Sequence, residues 1–188
     1  DEMGMDDLVP AAGLEETAEL QSLIDTVSQR ISAGDDPKYK LALRRIRELL
    51  ENGWNPVIFC RYIATAQYLA GKLKADLEKG IEVACITGEL PPEERIERVN
   101  GLREKERRVL VATDCLSEGV NLQELFTAVV HYDLSWNPTR HDQREGRVDR
   151  FGQQADKVRC LLIYGANNPV DGFIMQVILR KSQTIREK

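Results

Sequence analysis

Residues 142–153, Asp142-Gln143-Arg144-Glu145-Gly146-Arg147-Val148-Asp149-Arg150-Phe151-Gly152-Gln153, gather permanent positive charge into one short stretch. Asn137-Pro138 just before it marks a helix start, because Asn caps free N–H groups and Pro at the first helical position gives up no hydrogen bond. On that helix Gln143, Arg147 and Arg150 fall at i, i+4 and i+7 and form one polar stripe. Gly146 lies among them, and a glycine inside a helix, costing about 1 kcal/mol relative to alanine, marks close backbone approach or a packing constraint. A chemistry that calls for positive charge is phosphoryl transfer from ATP, which also needs a phosphate cradle, a metal and a positioned water. The cradle would read Gly-x-x-x-x-Gly-Lys-Ser/Thr, with an acidic motif after an apolar strand for metal and water, and neither is in this sequence. Asp1-Glu2 and Asp6-Asp7 follow no apolar run. The chain therefore lacks a complete ATPase site, and the plain alternative for the stripe is a solvated charged helix face.

Length and composition set the frame for these residues. The 188 residues suit one domain of ordinary size plus a short appendage, and a hydrophobic content of 42% supports a globular core. No apolar run approaches the roughly 20 residues that span a bilayer, and the acidic Asp1–Asp7 stretch does not resemble a signal peptide, so the expectation is a soluble, intracellular, cytoplasmic protein without a membrane partner. Cys60, Cys85, Cys115 and Cys160 form no Cys-x-x-Cys pair and read as buried reduced thiols. His131 and His141 read as too few and too isolated for a metal site. With 26 Lys+Arg against 31 Asp+Glu the net charge is −5, which argues against strong, diffuse nucleic-acid binding. Local contacts stay compatible with it, because salt screens charges beyond about 8–10 Å.

The elements that must position these residues follow from periodicity. Leu20, Leu23, Ile24, Val27 and Ile31 predict an amphipathic helix, stopped by Gly34-Asp35-Asp36-Pro37. Tyr39, Leu43, Ile46 and Leu50 predict a second, ended by Asn52-Gly53. Beyond Pro56 short apolar strands alternate with helices: strands at 57–60, 81–86, 108–112, 128–132 and 158–164, and helices carrying Ala66, Leu69, Ala70, Leu73 and Leu77, then Ile96, Val99 and Leu102. The last helix carries the stripe Val170, Phe173, Ile174, Val177, Ile178 and Ile185. Residues 1–34 are expected to be a linker or flanking helix and 35–188 the globular lobe. Strands apolar on both faces between helices imply an α/β fold with a mainly parallel sheet covered on both sides. In such folds ligands bind beyond the carboxyl ends of the strands. Arg61, Thr87-Gly88 and Thr113-Asp114 sit there, although Thr, Asp and Gly are also ordinary turn residues.

Residues 109–123, Val109-Leu110-Val111-Ala112-Thr113-Asp114-Cys115-Leu116-Ser117-Glu118-Gly119-Val120-Asn121-Leu122-Gln123, together with 142–153 resemble motifs V and VI of superfamily two helicases and translocases, in order and separation. Val57 to Tyr62 resembles motif IV. Ile86-Thr87-Gly88-Glu89 with Arg95 resembles the segment between motifs IV and V, where related lobes touch the nucleic-acid backbone. The resemblance covers roughly Trp54 to Tyr164. Asp133-Leu134-Ser135-Trp136-Asn137-Pro138, Gln143 and Arg150-Phe151-Gly152-Gln153 are similar to the Swi/Snf-like branch, and more closely to bacterial and archaeal members resembling the ATPase that recycles RNA polymerase.

That resemblance implies a RecA-like three-layer domain, the carboxy-terminal of two lobes that share one ATP site. It implies arginine fingers at Arg147 and Arg150, whose planar, permanently charged forks suit phosphates. Gln143 would align the lobe interface, Gly119 would lie near the γ-phosphate, and Asn121 would meet the ribose. Arg61, Thr87, Gly88 and Thr113 would touch nucleic-acid phosphates, which fix position without reading sequence. Trp136 would anchor the helix start or offer a stacking platform. The implied cofactor is ATP, with Mg2+ held by the amino-terminal lobe; the implied partners are that lobe, nucleic acid (double-stranded DNA first) and a protein target, in a prokaryotic, nucleoid-associated setting. The chain alone would be inactive. An RNA helicase lobe and a non-catalytic nucleic-acid-binding or interaction module are the alternatives.

Overall fold

A computed structural model of the chain describes residues 18–34, 36–116, 121–135, 137–165 and 169–186. The chain divides into two compact units, residues 1–37 and 38–188. In the first unit the described helix is α1 (Ala18–Ser32). The rest follows as α2 (Pro37–Glu51), β1 (Pro56–Phe59), α3 (Ile63–Asp76), β2 (Ile81–Ile86), α4 (Pro92–Asn100), β3 (Arg107–Ala112), a 3-10 turn (Leu122–Glu124), β4 (Ala128–His131), α5 (Pro138–Glu145), β5 (Arg159–Leu162) and α6 (Pro169–Arg186).

The five strands form one sheet in the order β2-β3-β1-β4-β5, and every neighbouring pair is parallel. Strand alternation sorts the core into two layers. Ile58, Cys60, Val109, Val111, Ala128 and Val130 face one side, where α2 and α3 cover them with residues such as Ile46, Leu69 and Leu73. Val57, Phe59, Leu110, Ala112 and Val129 face the other, against Val99, Leu102, Phe126 and Val148. The middle strands β1 and β4 are buried throughout, whereas the edge strands β2 and β5 are partly exposed. This is the expected RecA-like three-layer α/β arrangement.

Termination signals act as their chemistry dictates. Gly53 closes α2 at φ +79°, a backbone conformation that favours glycine. Asn137 caps α5 by accepting the Thr139 N–H at 3.0 Å, with Pro138 in the first turn. Several expectations are corrected. Of the four cysteines read as buried, Cys60 is buried, Cys85 and Cys115 are half-buried, and Cys160 is exposed on the edge strand β5. Ile96 on α4 is exposed although it keeps helical spacing with buried Val99, and Phe173 on α6 is exposed beside buried Ile174. Periodicity marks a face, and the width of the covering surface decides how much of it is buried. None of the described helices is long and apolar enough to cross a membrane.

Candidate functional site

Parallel pairing brings all five strand ends to one edge, so the loops that follow them are neighbours. Thr113 continues the β2-β3 pairing, its N–H donating to the Ile86 carbonyl at 3.1 Å. Thr87 and Thr113 thus end adjacent strands, and Arg61 leaves β1 on the other side of β3. Both threonines are nearly enclosed, 4% and 6% exposed. Gly88 is exposed, and a Cβ on it would meet Cys115 Cβ at an ordinary 3.8 Å, so the loop has no steric need for glycine. Arg61 is half-buried, donates its backbone N–H to Asp133 Oδ2 at 3.1 Å and lies over the Tyr62 ring at 5.2 Å.

Arg95 joins two of these loops. Its guanidinium donates to the carbonyls of Leu90 (2.7 Å), Cys115 (2.8 Å) and Gly88 (3.1 Å), one on each nitrogen. All three nitrogens are therefore engaged internally, which makes Arg95 a clamp between the β2 and β3 loops.

The strongest electrostatic feature is one that no local pattern in the sequence announces. Arg144 is 2% exposed yet charged, and it forms a bidentate pair with Asp114, Nε to Oδ1 at 2.6 Å and a terminal nitrogen to Oδ2 at 2.7 Å. Its remaining nitrogen donates to the Asp133 carbonyl at 3.1 Å, and the guanidinium lies over the Phe59 ring at 5.4 Å. Burial works to raise the Asp114 carboxyl, but hydrogen bonding and charge from Arg144, with Arg140 and Arg147 adding, hold it below the usual carboxylate range. Asp133 is a second junction: Oδ1 pairs with Lys38 Nζ at 2.6 Å while Oδ2 holds the Arg61 backbone. The post-β3 loop, the post-β4 loop and α5 are thereby tied together. Asp114 and Arg144 do lie in the two chemically suggestive stretches, but ion pairing across 30 residues has no sequence period.

The helical stripe of Gln143, Arg147 and Arg150 is not formed. α5 ends at Glu145, Gly146 is its C-cap, and residues 146–153 follow as successive turns. The reason is Val148, which is fully buried in the second core layer and turns the chain inward. Gln143 is exposed on α5, Arg150 is exposed beyond it and Arg147 is half-buried between. Gly146 donates to the Asp142 carbonyl at 2.8 Å, and a Cβ there would lie 3.2 Å from that oxygen, a tight fit in a tightened last turn. Asn121 is exposed and its amide donates to Glu124 Oε1 at 3.2 Å. Gly119 and Trp136 lie outside the described residues.

The two histidines, far from isolated, meet under α5. His131 Nδ1 and His141 Nδ1 are 3.2 Å apart, His141 Nε2 accepts the Ser135 N–H at 3.2 Å, and His131 Nε2 faces Glu145 Oε1 at 3.1 Å. Protons on His141 Nδ1 and His131 Nε2 serve these three contacts, while the Ser135 carbonyl, 3.3 Å from His141 Nε2, receives no proton from it. Among the described residues no cluster of three or more ligands could hold a metal. Burial, and then the neighbouring His131, pushes His141 down to about 4. Since an unfolded His titrates near ~6.5, the fold holds the neutral form. Its contribution is fully present above that pH and is lost as pH falls toward 4, a swing of about 3 kcal/mol. Melting temperature should therefore drop by roughly 6–12 °C between pH 7 and 4 from this group, and His141→Asn should flatten that stretch of the profile. A wild-type profile level across the interval would refute it.

Against known proteins, residues 41–152 match the helicase conserved C-terminal domain. The chain is 36% identical over 98 residues to the ATP-dependent RNA helicase eIF4A of Meyerozyma guilliermondii, covering 52% of this chain and 24% of that protein. It is 29% identical over 150 residues to the uncharacterized ATP-dependent helicase YqhH of Bacillus subtilis, covering 73% of this chain and 26% of that protein. It thus spans about a quarter of the length of these curated relatives. Among solved structures, the C-terminal domain of the DEAD-box protein Dbp5 aligns with a TM-score of 0.58 at 26% identity, covering 77% of each chain. The C-terminal part of the Fun30 ATPase domain aligns with a TM-score of 0.67 at 17% identity over 85% of this chain and 53% of that one, a likeness of fold.

Proposed function

Because this chain belongs to the helicase conserved C-terminal domain family of superfamily two, we propose that it is the second RecA-like lobe of an ATP-driven nucleic-acid translocase that tracks double-stranded DNA. The observation that carries this reading is the Arg144–Asp114 pair. It fastens the segment leading to Arg147 and Arg150 to the loop that begins at Thr113, so that a change at the phosphates would be felt at the nucleic-acid track.

Arg147 and Arg150 suit a phosphate ligand, being permanent cations with at least partial exposure beside a fixed turn. ATP, when bound, supplies the phosphoryl group whose transfer to water changes the affinity of the lobes for each other, with Mg2+ held by the lobe that precedes this one. In this chain Arg150 would meet the transferring phosphate, Arg147 would lie beside it, Gln143 would align the interface and Asn121 and Gly119 would line the nucleotide. Arg61, Gly88, Thr87 and Thr113 would follow the sugar-phosphate backbone; with the two threonine side chains enclosed, their loop backbone would make most of the contact. Alternating grip at this row during lobe closure and opening yields movement. DNA is chosen on Gln143, Arg150-Phe151-Gly152-Gln153 and Asp133-Leu134-Ser135, which are similar to the Swi/Snf-like branch and its RNA-polymerase-recycling members. RNA is the second reading, favoured by the eIF4A relatives, which are ATP-dependent RNA helicases. ATPase rates of the full-length protein with duplex DNA, single-stranded DNA or RNA decide: selective stimulation by duplex DNA supports the first, and selective stimulation by RNA replaces it.

Arg95 offers a separate check on the track. As a clamp whose nitrogens all bond inside the protein, it should raise the nucleic-acid Kd several-fold on change to alanine while the slope of log Kd against log salt stays put. Loss of a phosphate contact would lower that slope by about 0.7–0.9, and such a loss in Arg95→Ala would refute the clamp.

A further inference from the structure

Phe151 lies in the 142–153 stretch with no part in its phosphate chemistry, and its setting is unusual. It is 100% exposed, the highest value among the large exposed hydrophobic residues that the structure describes. Loose chain does not account for this, because the turn beneath it is fastened at several points. Val148 is buried in the core. Asp149 N–H donates to the Glu145 carbonyl at 2.8 Å and Gln153 N–H to the Arg150 carbonyl at 3.0 Å. The Gln153 amide nitrogen donates to the carbonyls of Phe126 and Val148, both at 3.0 Å, and its oxygen accepts the Ala155 N–H at 2.9 Å. Gly152 turns at φ +94°, a conformation that a side chain would strain. A pinned turn thus holds a bare aromatic ring in water, next to Arg150 and two residues past Asp149, both exposed.

An aromatic residue projecting from a rigid base and flanked by charge has the form of an interface anchor: large rigid apolar area at the centre, polar groups at the rim. We propose that Phe151 is the apolar anchor by which this chain docks into an apolar pocket of the preceding lobe of its own protein when the two lobes close. Two observations select that occupant. Phe151 is continuous with Arg150, which the functional reading places across the lobe interface, and the chain spans about a quarter of the length of its curated relatives, so most of such a protein lies outside it. Sugar-phosphate backbone is a poorer match, since it is held by cations and hydrogen bonds. The proposal rests on the two-lobe reading and adds to it an energetic division: arginines sense phosphate, and the phenylalanine sets how readily the lobes meet.

The test uses the full-length protein with a dye on each lobe, reading ATP-dependent closure by energy transfer, beside Phe151→Ser, Phe151→Leu and Arg150→Ala. Burying a phenylalanine side chain corresponds to a closure constant lowered about ten- to a hundredfold in Phe151→Ser. Phe151→Leu should recover most of it, and thermal melting of all variants should match wild type because the fully exposed ring buries nothing against the described residues. Closure unchanged in Phe151→Ser overturns the proposal, as does intact closure with lost preference for ATP over pyrimidine triphosphates, which would make the ring a base platform. Full turnover in Arg150→Ala would sink the finger assignment while leaving the closure result to judge Phe151 separately. A wild-type protein whose lobes do not approach on ATP addition would sink both.

Discussion

Arg150→Ala in the full-length protein is expected to lower ATP turnover at least about a thousandfold, the lower end of what an arginine finger contributes in other phosphoryl-transfer enzymes. Arg150 is exposed at the surface, and its bonds to the described residues are backbone bonds of the turn. The variant should therefore keep its melting temperature and its nucleic-acid affinity, so the loss is one of rate. Arg150→Lys keeps the charge but not the planar fork, and should recover a small part. Arg147 is half-buried beside Asp114, so Arg147→Ala should add a modest stability loss to its rate effect. Steady-state turnover with saturating nucleic acid measures both. A loss below tenfold in Arg150→Ala would remove it from the phosphates. On the same argument the 188-residue chain alone should show no turnover, because it has no phosphate loop, and steady hydrolysis by it would refute the split site.

Arg144→Ala is expected to be strongly destabilising. It removes one partner of a buried bidentate pair, a change that costs about 3–5 kcal/mol where the abandoned charge stays dry. Asp114 keeps a third of its side chain in water and retains Arg140 at 3.5 Å, which places the cost toward the lower figure. Further losses follow, because the Asp133 carbonyl and the Phe59 ring face lose their partner and the space the guanidinium filled is left empty. A fall in melting temperature of roughly 6–12 °C follows for a chain of this size. Arg144→Met with Asp114→Asn should lose less than the two single changes summed, since neither charge is then left alone. Arg144→Ala within about 2 °C of wild type, on the order of 1 kcal/mol or less, would show that the pair stabilises little. Turnover of Arg144→Ala should fall as well, because the turns that carry Arg147 and Arg150 start where Arg144 is fastened.

Much of the architecture is legible in the order of residues. β1, β3 and β4 are continuous apolar runs because both faces of a central parallel strand meet helices. Helices α2 and α3 are marked by their apolar stripes, the end of α2 by Asn52-Gly53 and the start of α5 by Asn137-Pro138, all signals that act within a few residues. The neighbourhood of Thr87, Thr113 and Arg61 is also foreseeable, since a parallel sheet sends every carboxyl end to one edge. The helix expected through Arg147 and Arg150 is not. Spacing of polar residues predicts continuation, but Val148 gains more by entering the core than a further helical turn would offer, and Gly146 lets the chain leave.

By itself, then, the sequence determined the class of fold, the order of its elements and the stretches able to carry chemistry, because capping, periodicity and motif spacing are local properties. Only the tertiary structure decided which charges meet. Arg144 finds Asp114, Lys38 finds Asp133, His131 finds His141 and Arg95 spans two loops, pairings set by strand order β2-β3-β1-β4-β5 across separations of 10 to 95 residues. It also decided that Phe151 stands in water on a pinned turn. Long-range pairing depends on where the folded core brings two chain segments together, and no local pattern in either segment records that place.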